Sequence, residues 1–151
     1  MQNTNTPSTN AQTWLTTLCI LSLVAVGLTM LYDVALLLIK STPSDVLQQA
    51  MQQSKDNIEQ WGVADASAVD FGMMYKMIDN GQFHFLFNCI ELVGLVLLMK
   101  KNEIGKHFYF ASQIGFAYLS YITFQQAATM QILLCLIWSW LFWRTTKRAL
   151  Q

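Results

Sequence analysis

Two carboxylic acids, Asp33 and Glu91, interrupt apolar runs long enough to cross a bilayer, and no Lys or Arg lies inside either run to balance them. A charge at mid-bilayer costs about 2.5–3.5 kcal/mol on insertion scales. A carboxyl placed there is expected to carry its proton or to face a wet or polar interior. In FHFLFNCIELVGLVLLM, residues 83–99, His84, Asn88 and Glu91 recur at i, i+4 and i+7, so all three share one helix face.

Counted at about 1.5 Å per residue from the ends of their runs, Asp33 and Glu91 lie roughly 9 to 12 Å below the same membrane surface. Antiparallel neighbours could bring them together, and two carboxyls in contact would hold one proton between them. Tyr118, Tyr121 and Gln131 fall in the same half of later apolar runs. Asp33, His84, Asn88, Glu91, Tyr118, Tyr121 and Gln131 therefore form a candidate polar pocket for a proton, a cation or a small polar ligand. The competing reading is structural. A protonated Glu bonded to Asn, Gln or Tyr holds neighbouring helices together, each bond contributing on the order of 1 kcal/mol. His84 by itself reads as an interfacial polar residue.

Other chemistry is not signalled. The three cysteines, Cys19, Cys89 and Cys135, lie far apart in apolar runs, without the close pairing that redox or zinc sites use, and read as packed thiols. His84 and His107 fall at opposite ends of the apolar region and cannot share one haem. Met73, Met74 and Met77 read as adaptable packing rather than copper ligands. No nucleotide-binding, zinc-protease or nucleophile-elbow pattern occurs, so no catalytic residue, metal or cofactor is expected. Nine basic residues balance nine acidic ones, which gives no reason to expect nucleic acid as a partner.

The elements that must position these groups follow from composition. Of the 151 residues, 54% are hydrophobic and only 12% charged, about half the charge of an ordinary soluble domain. We expect an all-α integral membrane protein with four spans, near residues 14–39, 82–99, 107–124 and 126–143. Residues 1–13, uncharged in their side chains and rich in Asn, Thr and Gln, are expected to be a disordered tail, and the first apolar run is read as a retained span rather than a signal peptide. The loop KKNEIGKH and the tail at 144–151 carry most of the basic residues, so the positive-inside rule puts both termini in the cytoplasm.

The opposite side then carries residues 42–80, which hold six of the nine acids. TPSD suggests a helix start with Thr42 as the cap and Pro43 in the first helical position, and Leu47, Met51, Ile58 and Trp61 mark one apolar face that ends at Gly62. This is an extracytoplasmic amphipathic helical segment between spans 1 and 2, with a break expected at Asp79-Asn80-Gly81. Ala111 and Gly115 form a small-xxx-small pair that would let a neighbouring helix approach.

The stretch GLVLLMKKNEIGKHFYFASQIGFAY, together with the order of spans, resembles small four-span bacterial membrane proteins of unassigned function, of the Bacteroidota type. The resemblance implies a bacterial inner-membrane location and carries no catalytic residue across. The expected function is that of a non-enzymatic accessory or scaffold protein, held in the lipid bilayer and associated with itself or a larger membrane complex. The rival is a small transporter or proton-coupled channel working through Asp33 and Glu91.

Overall fold

The computed structural model describes residues 9–62 and 71–150, and there the chain is helical apart from short turns, with no strand. Five α-helices follow one another: α1 (Thr9–Lys40), α2 (Ser44–Trp61), α3 (Phe71–Met99), α4 (Gly105–Phe124) and α5 (Thr129–Leu150), with a 3-10 turn at Gln125–Ala128. Helices α1, α3, α4 and α5 pack in a ring, each antiparallel to the next in the chain path around it. Two of them, α1 and α3, are long and apolar enough to cross a membrane. The Tyr, Ser and Gln residues of α4, and the tryptophans and basic end of α5, keep those two below the same hydropathy.

Two apolar clusters hold the ring. At the basic end, Leu15, Leu18, Cys19 and Val26 of α1 meet Leu95, Leu98, Tyr109, Phe142 and Ala149. At the other end Leu36, Ile78 and Met51 form a smaller cluster, through which α2 docks on α1 and α3. Close approach is set by glycine at both ends of α3. A Cβ on Gly94 would lie 2.7 Å from the Tyr109 nitrogen and one on Gly105 would lie 2.7 Å from the Leu98 nitrogen, so α3 and α4 touch backbone to backbone there. At the α2 end Gly81 lies under Leu36, where a Cβ would sit 3.2 Å from Leu36 Cβ, and α3 leans on α1 instead.

Several expected boundaries shift. Helix α1 begins at Thr9, inside the stretch expected to be a disordered tail, because Ala11 and Leu15 pack on the core that includes Leu150; residues 1–8 lie outside the described part. Thr42 does not cap α2. Its hydroxyl donates to the Leu38 carbonyl (3.3 Å), serving the end of α1, and Pro43 occupies the capping position without a side-chain bond. Gly62 ends α2 in the left-handed conformation (φ 61°), its N–H bonded to the Glu59 carbonyl.

Asp79-Asn80-Gly81 is not a break but lies within α3. Lys40 Nζ donates to the Asp79 carbonyl (3.1 Å), Asn80 Nδ2 donates to Thr123 Oγ1 (3.0 Å), and Gly81 makes room for Leu36. The residues between α2 and α3, 63–70, fall outside the described part. The C-terminal stretch from residue 144, expected as a tail, continues α5 to Leu150, since Thr146 and Ala149 are buried.

Candidate functional site

Between the two apolar clusters the ring contains a polar layer. Its centre is Asp33 of α1, fully buried, with both carboxylate oxygens engaged by α3: His84 Nδ1 lies 2.7 Å from Oδ1, and Asn88 Nδ2 donates to Oδ2 at 2.6 Å. Asn88 is in turn held by the Thr29 hydroxyl, which donates to its Oδ1 at 3.1 Å and has the Ala25 and Val26 carbonyls as alternative acceptors. His84 and Asn88 are one turn apart, so their donors converge on the same carboxylate, 3.2 Å from one another. Phe116 of α4 backs the imidazole at a centroid distance of 4.9 Å.

This arrangement has a definite charge count. With both ring nitrogens protonated, His84 and Asp33 form a neutral ion pair; with one proton fewer, the buried cluster carries a net −1. An uncompensated charge in such a place is costly, so loss of that proton calls for a cation or a donor in its stead. The geometry distinguishes the two ring nitrogens of His84. Nδ1 is occupied by Asp33, which leaves Nε2 as the ring nitrogen not engaged by the carboxylate.

There is room for it. A cavity of about 250 Å³ adjoins His84, whose side chain is 31% exposed where Asp33 and Asn88 are buried. Thr29, Asn80, His84, Ser120, Thr123 and Gln131 supply its polar lining, and apolar side chains of α1, α3 and α4 supply the rest. The mixture suits a small ligand with one or two polar groups.

Glu91 belongs to a second group, deeper toward the basic end. Gln113 Nε2 of α4 donates to Glu91 Oε2 at 3.0 Å, and Ser112 lies beside the same carboxyl. Ser112 also donates to the Tyr109 carbonyl, and Trp138 Nε1 of α5 donates to Ser22 Oγ of α1 at 3.1 Å. The buried Tyr109 ring stacks on Phe142 at 4.1 Å, and its hydroxyl has no hydrogen-bond partner.

Thus Asp33, His84 and Asn88 come together as one cluster, with Gln131 at the edge of its cavity. The two carboxyls take separate partners rather than sharing a proton. Tyr118 and Tyr121 point away from the interior, 63% and 62% exposed, on the face of α4 that also carries Ile114. The same is true of Ala111; Gly115 alone of that pair packs inward, under the Phe87 ring. Sequence reasoning missed Thr29, Asn80, Ser120, Thr123 and Gln113. The available signal was the stripe Ser112, Phe116, Leu119, Ser120, Thr123, which repeats at helical spacing on the side of α4 opposite the tyrosines.

Among the described residues, no three His, Cys, Asp or Glu side chains come together to hold a metal ion. Comparison with known proteins gives no match: no family model, no curated protein and no solved structure aligns with this chain.

Proposed function

We propose that the chain is a four-span protein of a bacterial inner membrane, with both termini in the cytoplasm and α2 on the outer surface, and that it is a small proton-coupled transporter or channel. The Asp33–His84–Asn88 cluster, which meets the cavity through His84, carries this reading. Interhelical glue needs no cavity, and His84 would serve it equally well with both nitrogens enclosed. In this orientation the cavity lies in the outer half of the bundle, where His84 exchanges a proton with the outer compartment and a cation or amine takes its place. Glu91, seven residues further along the same face of α3, is the next protonatable group, about 10 Å deeper.

The test is proton flux in proteoliposomes. Wild type should exceed protein-free vesicles, and Glu91→Gln, which keeps size and hydrogen bonding but cannot exchange a proton, should fall to background. Flux unchanged in that variant would sink the mechanism.

A second reading, an accessory or scaffold component that joins a second copy or a larger membrane complex, draws support from α2. Its apolar docking residues are Leu47 and Met51, and Val46 and Trp61 stay exposed. A stoichiometric partner recovered after extraction in mild detergent, with no flux from the purified protein, would favour it.

A further inference from the structure

We propose that the basic end of the bundle contains a second site, which binds the phosphate of an anionic phospholipid headgroup between the start of α4 and the end of α5. A cavity of about 120 Å³ opens there, lined by Glu103, Lys106, Trp143, Thr146 and Lys147. That volume accommodates a phosphate group and little more. Two of the five lining residues are lysines, and Lys100, Lys101, Arg144 and Arg148 lie on the same end of the ring, so the local field draws anions.

Thr146 is the second observation. It is 2% exposed, it borders the cavity, and its hydroxyl makes no hydrogen bond. Buried hydroxyls without a partner are uncommon because they forfeit their bonds to water, and an acceptor oxygen entering the cavity would supply the missing bond. The lysine beside it is already oriented. Lys106 Nζ lies 5.8 Å from the centre of the Trp143 ring and donates to Glu103 Oε2 at 3.1 Å. Glu103 is the weak occupant of this place: its side chain is 56% exposed and can swing into water when a phosphate takes over the ammonium.

The source of the phosphate follows from depth. Trp140 and Trp143, each partnered by a cation (Arg144 with Trp140, Lys106 with Trp143), are the amphipathic rings that favour the headgroup level. A site at that level meets lipid headgroups first. The inference uses the four-span reading only for this depth and is independent of the Asp33–His84 cavity.

The experiment titrates detergent-solubilised full-length protein with short-chain phosphatidylglycerol, phosphatidylcholine or inorganic phosphate and reads the thermal midpoint. Phosphatidylglycerol should raise it in a saturable way and phosphatidylcholine should not. Lys106→Gln and Lys147→Gln should each weaken the apparent affinity about fivefold, the usual worth of one basic residue against an anionic surface.

Two further variants separate binding from folding. Thr146→Val should leave the lipid-free midpoint unchanged or higher while weakening phosphatidylglycerol binding, and Glu103→Gln should tighten it by freeing Lys106. An equal response to inorganic phosphate, weakened by the lysine and Thr146 substitutions in the same way, would keep the phosphate site and assign it to a soluble anion. An equal response to phosphatidylcholine, or a phosphatidylglycerol effect undiminished by Lys106→Gln, Lys147→Gln and Thr146→Val, would overturn the proposal.

Discussion

Removing the Asp33 carboxylate separates an organised polar cluster from a chance one. In Asp33→Ala, Asn88, itself 2% exposed, loses the acceptor of its Nδ2 and is left with an unsatisfied buried donor, a loss of about 1–3 kcal/mol. His84 can turn its ring toward the cavity, so its loss is smaller, about 1 kcal/mol, and the space left by the missing carboxyl adds about as much again. The sum is roughly 3–5 kcal/mol, within the usual range for removing one partner of a buried pair.

Asp33→Asn differs in kind. The new amide keeps the shape and can still accept from Asn88 with its oxygen, but its NH2 group then faces His84 Nδ1. That nitrogen must become an acceptor, which moves the ring proton to Nε2 on the cavity side. Both contacts survive as neutral bonds, so the loss is about 1–2 kcal/mol. Reversible unfolding in mixed micelles gives the two stabilities, and nitrogen-15 spectra of labelled histidine give the tautomer. An Asp33→Ala protein within about 0.5 kcal/mol of wild type, or an Asp33→Asn protein as unstable as Asp33→Ala, would refute the account of the cluster.

Two other predictions concern the frame that holds it. Gly94→Ala would push a methyl against the Tyr109 and Gly105 backbones, 2.7 and 2.9 Å away, and should cost more than the ~1–3 kcal/mol of ordinary core overpacking, because backbone cannot yield as a side chain does; unfolding of the detergent-solubilised variant checks it. Lys101→Gly should stabilise by about 0.5–1 kcal/mol in the same assay. Lys101 sits at φ 58° where α3 ends, with its N–H bonded to the Leu98 carbonyl and the next N–H to that of Leu97, a turn that glycine enters without side-chain strain.

The helical class, the amphipathic segment and the polar face of α3 were legible because each rests on local periodicity. His84 and Asn88 share a face whatever the rest of the chain does, and Asp33 lies at a matching depth by simple counting. What could not be read was which neighbour each turn of α3 would meet. The answer depends on two glycine contacts. Gly81 under Leu36 draws α3 toward α1 at the α2 end, so His84 and Asn88 reach Asp33; Gly94 against Gly105 draws it toward α4 at the basic end, so Glu91 reaches Gln113.

The same limit explains the tyrosines. Tyr118 and Tyr121 have the right depth, but depth says nothing of azimuth, and the rotation of α4 is set by Gly115, Phe116 and Leu119 packing inward. Asp79-Asn80-Gly81 misled for a related reason. Its turn-forming composition is overridden by tertiary contacts with Lys40, Thr123 and Leu36 that no local window contains.

The central claim is that the Asp33–His84 cluster communicates with the outer compartment through its cavity. It is tested most directly by His84→Cys in a chain whose Cys19, Cys89 and Cys135 have been replaced by serine, labelled with a membrane-impermeant thiol reagent applied to one side of intact cells or inverted vesicles at a time. The account predicts labelling from the outer side, prevented by prior treatment with a small permeant thiol reagent, and none from the cytoplasmic side. Labelling from the cytoplasmic side alone, or from neither side in a folded protein, would contradict it.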